Sequence, residues 1–178
     1  MPRILAPLVL FLVSFAGHAQ TSQAPANQLI NYQAFARNVG EVWALRESRR
    51  VSEAEFIRMA REPDTVVLDA RSERLFNLRH VADAVNLSFP EFTETTLARV
   101  IPTRETRILI YCNNNFNGAP ESLPVKAPAS ALNLSTFVSL YSYGYRNVYE
   151  LGPAIDVAQS KFVFAGEQQQ DSKRSQQK

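Results

Sequence analysis

A single cysteine, Cys112, and only two histidines occur in a chain of 178 residues. One cysteine cannot form an intramolecular disulfide, and a lone Cys and His do not make a zinc site. Just six glycines are present, and no Gly-rich nucleotide loop or other cofactor motif is formed, so neither cofactor nor metal is expected. Neither sign of charge dominates: 19 Lys and Arg against 17 Asp and Glu give a formal net charge of +2. That balance excludes the basic surface expected of a nucleic-acid or membrane-surface partner. No repeat period is visible, and no apolar run beyond the N terminus approaches the roughly 20 residues of a membrane span.

The N terminus has one such run, and it is short. Arg3 is followed by Ile4 to Phe15, apolar apart from Pro7 and Ser14, and Gly17-His18-Ala19 places small residues before Gln20. This is the pattern of a secretory signal peptide over residues 1–19. The chain is therefore expected to be periplasmic or secreted, with no membrane association after cleavage. His80 is then the remaining histidine. Export also bears on Cys112, because exported chains usually use cysteines in pairs. A single one is a buried inert residue, an intermolecular link or a free reactive thiol.

Residues 20–30 form a flexible lead-in rich in Gln, Ser, Ala and Pro. Helical periodicity spans 31–50, where Phe35, Val39, Val42 and Trp43 share one face and Trp43 is expected in the core. Ser52-Glu-Ala-Glu55 is a capping box that opens a helix burying Phe56, Ile57, Met59 and Ala60. Thr65 to Leu68 is a continuous apolar run, as in a parallel strand covered on both faces. A short helix over Glu73–Leu78, a strand over Ala84–Leu87 and a helix over Glu91–Val100 follow. Beyond a strand at Ile108–Tyr111, a helix spans Ser130–Tyr143 with Leu132, Phe137, Leu140 and Tyr141 inward and Gly144 as its C-cap. Asn147–Leu151 is the last strand, and residues 158–178 read as a tail, Gln-rich and disordered at its end. Short apolar strands alternating with helices predict an α/β fold with a mainly parallel sheet.

The stretch Arg107 to Gly118 organises the rest. Its apolar strand ends abruptly at Cys112, and Asn113, Asn114, Asn115, Phe116, Asn117 and Gly118 follow. Asn and Gly turn a chain sharply, so Cys112 should lie at the carboxyl end of a central strand, where open α/β sheets bind ligands.

Residues 51–157 resemble a single rhodanese-like domain. The resemblance is carried by Val51 to Phe56, Val67-Leu-Asp-Ala-Arg71 with Phe76, His80 to Asn86, Ile108 to Cys112, and Tyr143 to Tyr149 before Leu151-Gly152. It implies a five-stranded parallel sheet with helices on both faces, preceded here by an extra N-terminal helix. It further implies that Cys112 is the catalytic residue of a sulfurtransferase. Such a cysteine takes a sulfane sulfur from a small donor as a persulfide and passes it to cyanide, a small thiol or a protein thiol.

The chemistry requires a depressed thiol pKa, and backbone N–H groups at a helix N-terminus can supply it. The loop departs from the family in holding no basic residue; the first one downstream is Lys126. A phosphatase of the related cysteine type would need Arg at the position of Gly118. Asn113 to Gly118 are therefore expected to curl around the sulfur as a backbone cradle with no side-chain cation beside it. Ala119 to Pro128, interrupted by prolines, should form a removable surface excursion. Asp69 and Arg71 either line the site or form a structural pair, and the resemblance makes His80 structural rather than a base. The alternative to sulfur transfer is an idle rhodanese fold whose 113–128 loop recognises a partner. Export predicts a mature N terminus near Gln20. N-terminal sequencing of protein recovered outside the cytoplasm checks it, and an uncut Met1 contradicts it.

Overall fold

The computed structural model describes residues 27–168. The expected signal peptide, most of the lead-in and the end of the Gln-rich tail lie outside the described residues. The chain runs through α1 (Tyr32–Arg46), β1 (Arg50–Val51), α2 (Glu53–Ala60), β2 (Thr65–Asp69), α3 (Glu73–Leu78), β3 (His80–Val81) and β4 (Val85–Asn86). It continues through α4 (Glu94–Val100), β5 (Arg107–Tyr111), β6 (Phe116–Asn117), α5 (Leu132–Ser142), β7 (Val148–Leu151), β8 (Ile155–Asp156) and β9 (Phe164–Ala165).

Five strands form one parallel sheet in the order β1-β7-β5-β2-β4. The α/β class and the five-stranded parallel sheet are as expected. The alternation of side chains along a strand divides the interior into two cores. Leu68, Ile108, Ile110 and Val148 face α1, α4 and α5, meeting Val42, Leu97, Phe137 and Leu140. Val67, Leu109, Tyr111 and Leu151 face the other way onto Phe56 and Met59 of α2. Because β5 is covered on both faces, its residues read as an unbroken apolar run rather than an alternating one.

Local signals set the element ends. Ser52 caps α2 by accepting from the backbone N–H of Glu55 at 3.2 Å. At the end of α5, Gly144 adopts φ +90°, and the N–H groups of Gly144 and Tyr145 donate back to Tyr141 and Leu140, both at 3.0 Å. This is the left-handed termination that favours glycine.

Three features differ from the expectations. Trp43 is 68% exposed rather than core, and Phe35 and Val39 are exposed with it. Helix α1 is real, but it is tied to α5 largely by polar contacts. Asn38 Nδ2 donates to Ser142 Oγ at 2.8 Å and Tyr141 OH to Glu41 Oε2 at 2.6 Å. Only Val42 of the stripe is buried; the others flank a cleft of about 330 Å³ shared with Leu134 and Val138.

Residues 158–165 are not a free tail. β9 pairs antiparallel with β3, and Phe162 and Phe164 stack edge-on against Phe116. Gln-rich composition marks only what comes after them.

The excursion after Gly118 is not removable surface. Leu123 is buried in the α2-side core, and Ser122 is buried beside it. The prolines do not exclude this, because residues 120–122 form a turn, closed by the Leu123 N–H donating to the Ala119 carbonyl at 2.8 Å, and the turn delivers both side chains inward. Replacing Leu123 by Ala should cost about 2–5 kcal/mol of unfolding free energy, the range for emptying a buried leucine site. Urea unfolding checks this, and an unchanged midpoint would return the segment to the surface.

Candidate active site

Cys112 leaves the carboxyl end of β5, the middle strand of the sheet. Parallel strands end on the same side, so the ends of β2 and β7 bring Asp69 and Glu150 to the same rim. The cysteine is only 2% exposed.

The asparagine-rich turn is built by side chains acting as substitute peptide groups. An amide carries one carbonyl acceptor and an NH₂ donor, as a strand neighbour would. Asn115 Oδ1 accepts from the Cys112 N–H at 2.9 Å and from Asn133 Nδ2 at 3.2 Å. Its own Nδ2 donates to the carbonyls of Leu151 at 2.8 Å and Pro153 at 3.2 Å. One side chain thus ties the end of β5 to the first turn of α5 and to the end of β7. Asn114 pairs both ways with the backbone of Lys126, at 2.8 and 3.0 Å, and closes the far side of the excursion.

The expected cradle is therefore smaller than six residues. Asn113 to Asn115 make a single 3-10 turn. Phe116 then turns its ring into the core, Phe116 and Asn117 pair with β8, and Gly118 leads away at φ +84°. The physical reason is the burial of a phenylalanine, which removes that half of the loop from the sulfur.

Burial is the largest influence on the thiol and pushes its pKa up. The backbone N–H groups of Asn133, Asn114 and Leu132 pull it back toward thiolate, and the Glu150 carboxylate adds a further upward push. The donor cradle is present, contributed as much by the first turn of α5 as by the loop. Desolvation nonetheless outweighs it, and the thiol is raised where a depressed one was expected.

Glu150 is itself buried, and burial raises its carboxyl pKa against the opposing pull of Arg46 and Arg50. Arg46 Nη2 meets Glu150 Oε1 at 2.5 Å, while Oε2 has no hydrogen-bond partner. Cys112, Asn114, Asn133, Glu150, Arg46 and Arg50 border one cavity of about 200 Å³. Two arginines, delivered from α1 and β1 rather than from the loop, border the cavity on which Cys112 also lies, although the groups acting on the thiol itself are backbone N–H groups and Glu150. One signal for this was available in the sequence, a glutamate at the carboxyl end of an otherwise apolar strand, which needs a cationic partner if buried.

Arg71 lies deeper. Its guanidinium grips Asp69 through Nε at 2.9 and 3.0 Å and Nη2 at 2.5 Å, and Tyr111 OH donates to the same carboxylate at 2.5 Å. Its remaining donors reach the carbonyls of Ser122 at 3.0 Å and Arg79 at 2.8 Å, and Nη1 also makes a long contact, 3.5 Å, to Asn113 Oδ1 in the turn after Cys112. The structure does not bring Arg71 to the Cys112 cavity; it uses it to fasten the excursion to the end of β2. His80 stacks on Phe76 and bonds its carbonyl through Nδ1 at 2.8 Å. Among the described residues, no three His, Cys, Asp or Glu side chains stand together to hold a metal, and no helix is long and apolar enough to cross a membrane.

Residues 52–151 match the rhodanese-like domain family. The chain belongs to that family. Among solved structures it is similar to the BH2092 protein of Bacillus halodurans, at 18% identity and a TM-score of 0.44 over 67% of this chain and 77% of the other. It is also similar to the rhodanese-like domain of Alr3790 from Anabaena, at 16% identity and 0.45 over 68% and 81%. A third similarity is to a rhodanese with anions from E. coli, at 17% and 0.40 over 58% and 99%. No curated protein matches. Arg46 and Arg50 precede the residues matched by the family.

Because Glu150 raises the thiol through its charge, Glu150→Gln should lower the Cys112 pKa. The pH dependence of Cys112 alkylation measures this; an unchanged or higher pKa would place Glu150 outside electrostatic reach of the sulfur.

Proposed function

We propose that this chain is an exported sulfurtransferase that carries sulfane sulfur on Cys112. The supporting observation is the position of the thiol at the end of β5, facing a cavity rimmed by backbone N–H groups and two arginines. With thiosulfate as donor, the Cys112 thiolate attacks the outer sulfur. The bond between that sulfur and the sulfonate sulfur breaks, and sulfite leaves with the bonding pair. Cys112 is left as a persulfide anion. Cyanide or an acceptor thiolate, small or on a protein, then attacks the terminal sulfur. The persulfide S–S bond breaks, thiocyanate or the acceptor persulfide departs, and the Cys112 thiolate is regenerated. The N–H groups of Leu132, Asn133 and Asn114 lie where negative charge resides throughout.

The reading fixes a pH profile. The thiolate is the attacking species, and burial raises the thiol, so persulfide formation should climb through and beyond the ordinary thiol range rather than level off below it. One observation favours the competing reading of an idle, partner-binding fold: the same burial, which keeps the thiol protonated at neutral pH.

Intact-mass measurement after incubation with thiosulfate separates the two. Sulfur transfer predicts a gain of one sulfur atom on the wild-type protein and none on Cys112→Ser, with both variants folded. No gain from any sulfane donor at any pH up to the alkaline limit of stability leaves the binding fold as the answer.

A further inference from the structure

The arginines at the cavity lie outside the part of the chain that defines the family. Arg46 ends α1, and Arg50 opens β1 in register with Glu150. The turn after Cys112 carries no positive charge from Asn113 to Gly118, and the Lys126 side chain is exposed and not on the cavity rim.

We propose that the N-terminal helix is a working part of the sulfur site: Arg50 binds the anionic, sulfonate end of the donor, and Arg46 is the positioning residue that neutralises Glu150 beside it. The inference rests on the sulfur-transfer reading and adds the groups that select a charged donor.

Three observations carry it. The first is shared space, since both arginines line the cavity that Cys112 also lines. The second is unused bonding capacity in a buried setting. Arg46 Nε, Asn133 Oδ1 and Glu150 Oε2 have no hydrogen-bond partners, and Glu150 and Asn133 are almost fully buried. Unpaired buried polar atoms are rare and mark a place where a water or ligand belongs. Asn133 Oδ1 and Glu150 Oε2 are acceptors, suited to ordered water, and Arg46 Nε is buried with them rather than presented to the cavity. The third is the charge arrangement. A dianion approaching Cys112 meets the carboxylate of Glu150, which Arg46 neutralises at 2.5 Å. The net attraction then falls to Arg50. Among the described residues its only ion pair is with Glu47, at 2.6 Å and well exposed. Exposed pairs of this kind are worth little, so Arg50 can exchange Glu47 for a donor oxyanion at small cost. Arg46, Arg50, Glu47 and Glu150 are the charged groups acting on the site from α1, β1, β7 and the α1–β1 connection.

The test uses two thiol reagents of matched chemistry and opposite charge character. Methyl methanethiosulfonate is uncharged and reports intrinsic Cys112 reactivity; thiosulfate reports reactivity plus anion binding. In the wild type, sulfate should protect Cys112 from the uncharged reagent. Arg50→Gln, which touches only an exposed pair, should lose that protection and slow transfer from thiosulfate about tenfold, the worth of one charge-assisted hydrogen bond. The rate with the uncharged reagent in the absence of sulfate, measured on each variant, is the reference against which protection and thiosulfate transfer are expressed. The Arg46→Gln/Glu150→Gln pair, which removes two charges that cancel, should keep the protection. Absence of sulfate protection in the wild type, or undiminished protection in Arg50→Gln, overturns the proposal. The parent reading fails differently: sulfate protection would be intact and arginine-dependent, yet thiosulfate would deposit no sulfur on Cys112.

Discussion

The whole rim answers to one constraint, the cost of holding negative charge at the dry end of a doubly covered strand. β5 lies in the middle of the sheet with Ile108 and Ile110 packed on one face and Leu109 and Tyr111 on the other. A side chain leaving such a strand enters a medium of low polarity, where an isolated ion is strongly disfavoured. Three anions or potential anions gather there nonetheless: Asp69, Glu150 and the Cys112 sulfur. Each is met differently. Asp69 is given Arg71 and the Tyr111 hydroxyl in a closed network. Glu150 is given Arg46 and left with one open oxygen. The sulfur is given backbone N–H groups alone, and burial still prevails.

That gradation separates structure from function. The Asp69–Arg71 pair saturates its donors on Asp69 and on the carbonyls of Ser122 and Arg79, and so joins β2, α3 and the excursion after Gly118. Removing one member of a buried pair leaves an uncompensated charge, typically a loss of about 3–5 kcal/mol. The Glu150–Arg46 pair is different, because it leaves Glu150 Oε2 and Arg46 Nε unpaired in a buried setting beside the Cys112 cavity.

Much of this was legible in the sequence because it is written in local patterns. The apolar runs at Thr65–Leu68 and Ile108–Tyr111, the Ser52 cap and Gly144 each encode their own element. The position of Cys112 followed from an apolar run ending in turn-forming residues. What stayed hidden depends on tertiary partners. A phenylalanine in a polar loop, Phe116, does not announce that it will stack on Phe162 and Phe164 some forty residues later. The stripe on α1 has helical spacing whether or not a neighbour covers it, so Trp43 was assigned to a core it does not enter. The cations escaped notice because they precede Cys112 by more than half the domain and reach it only through the pairing of β1 with β7.

The most direct measurement of the account is a high-resolution crystal structure of the protein after soaking with thiosulfate. The account predicts electron density for a second sulfur on Cys112, surrounded by the N–H groups of Leu132, Asn133 and Asn114, with an oxyanion against Arg50. An unmodified Cys112 in a cavity that holds no anion, at a pH where the thiol is ionised, would contradict it.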